Sequence, residues 1–154
     1  MTEKDIQRVI WARTSHLFTM PNTCVLGHEA DVIGITRAGY IHEYEIKISV
    51  SDFYADQKKH KSGNPNFFWY VVPEGLVGSE VVPEKAGLIY IVRSMLKVVK
   101  RAPRLHKIKI TEKQKDQMLW NLCGRYWRLK YYPNEIEING DGTAVRKEVK
   151  YLGL

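Results

Sequence analysis

The sequence predicts a single α/β domain, and three stretches of the chain carry that prediction. Apolar residues at helical spacing mark an amphipathic helix near the N-terminus, over residues 3–18. Two segments with alternating side chains then flank the turn Arg37-Ala38-Gly39, a pattern typical of a β-hairpin. After a second helical stretch, the continuous apolar run at 67–72 predicts a strand buried on both faces. Helix, paired strands, helix and buried strand together indicate the α/β class.

Length and composition narrow the class of protein. The 154 residues suffice for one hydrophobic core, and the hydrophobic fraction of 44% is ordinary for a globular chain. No apolar run approaches the ~18 residues of a membrane helix, and the polar start is unlike a signal peptide. Cys24 and Cys123 lack the spacing of a metal site or of a disulfide framework. We therefore expect a cytoplasmic protein with no membrane partner.

The first helix begins with a capping box, in which Thr2 is the expected N-cap and Asp5 the third helical residue. Glu3 and Asp5 lie in the first turn, where negative charge suits the helix dipole. Either acid could also reach a site on the sheet, and both roles stay open. Met20-Pro21-Asn22 is expected to break the helix, and residues 23–26 are expected to form a short strand.

The hairpin, with strands over 29–36 and 40–49, determines which side chains share a face. Residues two apart in a strand point the same way, so Glu43, Glu45 and Lys47 share one face. If the two strands pair as antiparallel neighbours, Asp31 comes close to Glu45, with Lys47 beside them.

The later elements complete the predicted domain, with a core of about residues 3–110 and a C-terminal addition over 111–154. The helix over about 50–61 is expected to cross over to the strand at 67–72, which then lies parallel to its neighbour. The remaining elements are, in order, a buried strand over 87–92, an edge strand over 96–100, a helix beginning after Thr111, and a hairpin over 135–139 and 143–151.

The acids and the lysine of the hairpin match the chemistry of a metal-dependent phosphodiesterase. Two carboxylates held close together repel each other unless a cation sits between them. Mg²⁺ takes oxygen ligands, often only one or two carboxylates, and Asp31, Glu45 and the main-chain carbonyl of Ile46 would supply three. Lys47 could orient an attacking water or neutralise charge on a phosphate. The alternative is a solvated strand face with an ordinary cross-strand ion pair.

The residues around this pattern carry a resemblance. Asp31 followed by Glu45-Ile46-Lys47 resembles the PD-(D/E)xK nuclease superfamily, although Ala30 stands where that superfamily often has proline. The string from Glu45 to Lys58 is similar to the pattern E-x-K-x-S-x-x-D-F-x-x-D-x-K of the MmcB-like family, which is regarded as a family of DNA-repair nucleases. The segments 70–75 and 82–89 also resemble that family, and the likeness covers roughly residues 5–107.

The resemblance implies a restriction-endonuclease-like core and a Mg²⁺-dependent deoxyribonuclease, with Mn²⁺ as a substitute. Asp31, Glu45 and Ile46 would hold the metal, Lys47 would act on the water and the phosphate, and Lys58 would contact the phosphate. A solvated helix end is the alternative for Lys58. Glu43 could orient Lys47 or hold a second metal. His28 could be a ligand, a general acid or an ordinary surface histidine.

The charge of the chain agrees with a nucleic-acid partner. The formal net charge is +7, and the stretch from Lys97 to Lys115 is strongly basic. Many proteins of this charge bind nothing acidic, so the net charge alone does not identify a nucleic-acid-binding protein. In the C-terminal helix, Trp120 and Trp127 could stack on single strands or pack in a core.

Two other readings stay open. The chain could be a nucleic-acid-binding protein that keeps the nuclease fold without catalysis, or an RNA-cleaving enzyme with the same site. Several enzymes of the superfamily act as homodimers, and the sequence leaves the oligomeric state open, as it does the choice between endonuclease and exonuclease action.

Overall fold

A computed structural model describes residues 1–56 and 65–131, together with the short strands at 136–138 and 144–146. The chain forms two compact units, Met1–Gln114 and Lys115–Leu154. The α/β class is confirmed, whereas the expectation of a single domain over residues 1–154 stays a prediction. The elements, in chain order, are α1 Glu3–Arg13, β1 Phe18–Thr23, β2 Ala30–Ile35, β3 Ile41–Ile46, α2 Val50–Asp56, β4 Phe67–Pro73, a one-turn 3-10 helix Ser79–Val81, β5 Ala86–Val92, β6 Met95–Lys100, α3 Glu112–Tyr131, β7 Ile136–Ile138 and β8 Ala144–Arg146.

The first unit is built on a six-stranded mixed sheet in the order β1-β2-β3-β4-β5-β6. The pairs β1–β2 and β2–β3 are antiparallel, so the first three strands form the expected meander. The pair β3–β4 is parallel, as the crossover through α2 predicts, and the pair β4–β5 is parallel as well. β6 pairs antiparallel with β5 and forms an edge, which confirms the predicted edge strand.

The two faces of the sheet have different partners. On one face, Ile6 and Ile10 of α1 pack in a core with Tyr44, Ile46 and Val71 of the sheet. The other face carries Glu43, Glu45 and Lys47, because alternate residues of a strand point in opposite directions. A second core cluster includes Phe53 of α2 with Tyr70, Val72 and Leu88. The buried acids therefore lie on the same side of the sheet as α2.

An aromatic cluster extends the face that carries α1. The His16 ring lies next to Tyr44, with the Nε2 atom 2.6 Å from the phenol oxygen. The indole Nε1–H of Trp69 donates a hydrogen bond of 3.1 Å to Nδ1 of His42. Burial lowers the pKa of His42 to about 4. His42 is therefore neutral at physiological pH and can accept this bond.

The capping box at the start of α1 is confirmed, since Thr2 and Asp5 exchange hydrogen bonds. The predicted end of this helix at residue 18 is wrong, because α1 ends at Arg13. The predicted strand over 23–26 is also wrong, because β1 runs over Phe18–Thr23. Proline is tolerated in this strand because β1 is a sheet edge, where one row of N–H groups has no ladder partner.

Close packing of β5 on its neighbours requires glycine at position 87, which pairs with Trp69 of β4. An added Cβ would overlap the Trp69 indole and lie 2.7 Å from the main-chain nitrogen of Ala102.

Gly87→Ala is therefore expected to lower the free energy of unfolding by about 1–3 kcal/mol, measured by urea denaturation. The control is Gly124→Ala in α3, where a Cβ meets no atom within 4 Å and stability should rise slightly. An unchanged urea midpoint for Gly87→Ala would contradict this packing.

The second unit contains most of α3 and the hairpin β7–β8. The predicted capping box before α3 is confirmed, because Gln114 N donates to Thr111 Oγ1 and Thr111 N donates to Gln114 Oε1. The predicted hairpin is confirmed by antiparallel pairing of Ile136 with Arg146. Within α3, the rings of Trp127 and Tyr131 stack at a centroid distance of 5.1 Å.

Candidate active site

The β2–β3 pair brings the predicted acids together. Val32 pairs with Tyr44 in the antiparallel register, and Asp31 is one residue before Val32. Glu45 is one residue after Tyr44, so Asp31 and Glu45 stand opposite each other at the end of the ladder. The alternation and the turn at Gly39, which has a positive φ of 84°, determine this register.

Asp31 is tied to β3 by its side chain. The main-chain N–H of Ile46 donates a hydrogen bond of 2.7 Å to Oδ2 of Asp31. In a strand, the N–H and C=O of one residue point to the same side. The Ile46 carbonyl therefore points toward the side of β3 on which Asp31 lies. The role of Asp31, Glu45 and the Ile46 carbonyl as metal ligands stays a prediction.

Lys47 is held between two acids. Its Nζ atom lies 2.8 Å from Oε1 of Glu45 and 3.7 Å from Oδ1 of Asp52 in α2. Both Lys47 and Glu45 are buried, with 7% and 4% of their surfaces exposed. A buried ion pair restricts both side chains far more than an exposed pair does, so this interaction is not the solvated strand face of the alternative reading.

The pKa of Asp31 is strongly perturbed. Burial raises it to about 7, and the negative charge of Glu45 adds to this effect, while the hydrogen bond from Ile46 opposes it. Repulsion from the Glu45 carboxylate is thus one of the causes of this shift, and a divalent cation bound by both carboxylates would oppose that repulsion.

The donor set fits a hard divalent ion. Two carboxylates and a main-chain carbonyl are oxygen ligands of the kind that Mg²⁺ prefers, and Mg²⁺ keeps several waters. Across residues 1–56 and 65–131, no group of three or more His, Cys, Asp or Glu side chains is arranged to hold a metal. A closed cage of the kind that binds structural zinc is thus absent from this part of the chain.

His28 and Glu43 form a second polar pair beside the acids, in which Glu43 is buried and His28 is half-buried. Nε2 of His28 lies 2.7 Å from Oε1 of Glu43, and only 1% of the surface of Glu43 is exposed. The side chain of His28 is 14% exposed, so His28 is half-buried, and its roles as a metal ligand or a general acid stay predictions. Its loop, which connects β1 to β2, folds over this face of the sheet. The sequence showed both residues near the site but not their contact, since the contact depends on the loop.

Loss of the His28 imidazole should destabilise the protein. His28→Ala removes a hydrogen-bonding partner of the buried Glu43, so we expect the free energy of unfolding to fall by about 1–3 kcal/mol. His28→Gln, whose amide nitrogen can still donate, should recover part of that loss. Urea denaturation of the three proteins measures both effects. Equal stability of the alanine and wild-type proteins would show that the contact contributes nothing.

The three other candidate site residues are Asp5, Glu3 and Lys58. Asp5 belongs to the capping box, and its pKa is lowered by hydrogen bonds from Thr2. Glu3 accepts a hydrogen bond of 2.9 Å from Gln7, and its charge contributes to the raised pKa of Asp31. Lys58, the predicted phosphate contact, lies outside the described residues.

A comparison with protein families finds one family whose model matches most of the chain. A family described as "DNA repair protein MmcB-like" matches residues 5–124, which span the sheet and the candidate acids. The chain belongs to the MmcB-like family. The match extends beyond the resemblance seen in the sequence and includes the first part of α3.

Among solved structures, this MmcB-like chain is similar to a protein of unknown function from Silicibacter pomeroyi. The two share 19% sequence identity, the likeness covers 88% of this chain and 92% of that one, and the TM-score is 0.60. This likeness concerns the fold alone. No curated protein matches the chain. Among the helices that the structure describes, none has the length and hydropathy of a membrane span.

Proposed function

We propose that this protein is a metal-dependent nuclease that hydrolyses phosphodiester bonds of DNA, with a site of the PD-(D/E)xK type. The observation that carries the proposal is the convergence of Asp31, Glu45 and Lys47 at the end of the β2–β3 ladder. An acid whose pKa is raised by burial and by a second acid is costly to the fold. Such groups cluster at functional sites.

The topology supports the same proposal. A helix, an antiparallel meander, a second helix and a parallel strand follow one another in the first unit. This is the order expected of a restriction-endonuclease-like core, with the acids on the second and third strands of the meander. The family membership supports a role in DNA repair.

The chain's own residues have separate tasks in the proposed reaction. Asp31, Glu45 and the Ile46 carbonyl would hold Mg²⁺, or Mn²⁺ in its place. The ion would stabilise negative charge on the scissile phosphate and lower the pKa of a coordinated water. The Nζ of Lys47 donates hydrogen bonds to the attacking water and to a phosphate oxygen, and Glu45 and Asp52 fix its position.

The experiment that tests the proposal is cleavage of end-labelled DNA in Mg²⁺, Mn²⁺, Ca²⁺ or EDTA, with Glu45→Gln beside the wild type. We expect cleavage by the wild type with Mg²⁺ or Mn²⁺, and none by the variant or in EDTA. Cleavage that survives Glu45→Gln would place the reaction elsewhere. Metal-independent binding without cleavage would favour a nucleic-acid-binding protein, and cleavage of RNA alone would favour a ribonuclease.

A further inference from the structure

A cavity lies on the face of the sheet that carries the acids. It is a cavity of about 570 Å³ whose lining includes Ile41 at the start of β3, and it falls in the size range of ligand pockets. Its other described walls come from the β1–β2 loop, from the residue before β5, from the segment that precedes α3 and from the first turn of α3. They include Lys85, Leu105, Ile108 and Lys109.

The chemistry of this lining is apolar and cationic. Leu105 and Ile108 offer apolar surface from the segment before α3, and Lys85 and Lys109 carry positive charge. None of the described residues that line the cavity is an Asp or a Glu. A ligand with a flat apolar part and an attached anion complements such a lining, which is the composition of a nucleotide.

The wall of the cavity is fixed to the strand that carries the site. The main-chain N–H of Ile41 donates a hydrogen bond of 2.7 Å to the amide oxygen of the buried Asn66. The amide nitrogen of Asn66 donates to the carbonyls of His106 and Ile108, at 3.0 and 2.8 Å. Leu105, His106 and Ile108 are thereby held in place before any ligand arrives, which lowers the entropy lost on binding.

The distance from the site suits one DNA strand. Ile41 and Glu45 lie on the same face of β3, four residues apart, which is about 13 Å along a strand. A DNA strand of a few nucleotides is long enough to span that length. One strand could therefore reach both the acids and the cavity.

We propose that this cavity receives an unpaired nucleotide of the DNA strand whose phosphodiester is cut, so that the substrate is single-stranded or flapped rather than continuous duplex. This inference rests on the proposed nuclease function. A paired base is stacked on both faces and cannot enter a pocket without being extruded, whereas an unpaired base enters at little cost. Leu105 and Ile108 contact the base, and Lys85 and Lys109 contact the flanking phosphates.

The test is binding in EDTA, where no cleavage occurs, by anisotropy of fluorescein-labelled dT12 and of a blunt 12-base-pair duplex. Leu105 and Ile108 are 38% and 73% exposed, so their joint replacement by alanine should leave the fold intact. We expect this double variant to weaken dT12 binding about tenfold and to leave duplex binding unchanged. The matched control is Val98→Ala with Val99→Ala on β6, 53% and 38% exposed, which should change neither.

The contribution of Lys85 and Lys109 to DNA binding can be measured separately, from the salt dependence of binding. Lys85→Ala with Lys109→Ala should reduce the salt dependence of dT12 binding, lowering the slope of log K against log salt by about 1.4 for two lost phosphate contacts. Lys97→Ala is the control, because Lys97 lies on β6 and pairs with Glu74. Equal weakening of dT12 and duplex binding by the apolar double variant, or no weakening of either, would overturn the inference. Because no metal is present, the result does not depend on whether the protein cleaves DNA.

Discussion

Lys47→Ala is expected to lower the rate of Mg²⁺-dependent DNA cleavage by about two to three orders of magnitude. This is the usual cost of removing one donor that stabilises the transition state of a reaction at an oxyanion. The Lys47 side chain is buried, and its Nζ atom lies 2.8 Å from Oε1 of Glu45, which fixes its position. Initial rates on end-labelled DNA at saturating Mg²⁺ measure the effect.

Two controls separate catalysis from folding. Lys97→Ala removes an exposed lysine that pairs with Glu74 and should cleave at the wild-type rate. Lys47→Met keeps the length of the buried stem without its charge and should be as inactive as the alanine variant, with circular dichroism unchanged. A Lys47→Ala protein that cleaves at the wild-type rate would remove Lys47 from the proposed mechanism.

Asp31→Asn is expected to stabilise the metal-free protein at pH 8 and to abolish cleavage. The folded-state pKa of Asp31 is raised to about 7, above the value of 3.8 in an unfolded chain. Between these two pH values the unfolded state binds fewer protons, so the stability of the wild type falls as the pH rises through this window. Asparagine does not ionise, and its amide oxygen can still accept the hydrogen bond from Ile46.

Thermal unfolding from pH 4 to pH 8 in EDTA measures this prediction. The two proteins should be equally stable near pH 4 and should diverge toward pH 8, where each pKa unit of the shift is worth about 1.4 kcal/mol. Addition of Mg²⁺ at pH 8 should raise the melting temperature of the wild type and should have little effect on the variant. A wild type that is the more stable protein at pH 8 in EDTA would contradict the raised pKa.

The placement of the acids was predictable from the sequence because it depends on short-range rules. Alternation assigns Glu43, Glu45 and Lys47 to one face, and the turn at Gly39 sets the register that places Asp31 opposite Glu45. The parallel pairing of β3 with β4 follows from the helix between them. Each of these inferences uses residues that are close together in the chain.

The predictions that were wrong, and the contacts that were not predicted, depend on tertiary structure. Local sequence predicts that Pro21 breaks a helix, but Pro21 lies in β1, and the position of β1 at the edge of the sheet cannot be deduced from local sequence. The contact of His28 with Glu43 depends on how the β1–β2 loop folds back over the sheet. The side chain of Asn66 forms hydrogen bonds with Ile41, which is 25 positions earlier in the chain, and with Ile108, which is 42 positions later. Hydrogen bonds between residues so far apart in the chain cannot be predicted from the spacing of apolar residues.

The hydrogen bond from the Ile46 N–H to the Asp31 side chain bears on sequence variation at position 31. Asparagine or serine could terminate the β2–β3 ladder there without burying a carboxylate beside Glu45. A protein under selection for folding alone would gain from that exchange. A saturation library scored for abundance should therefore favour asparagine at position 31, and one scored for survival of DNA damage should retain only aspartate.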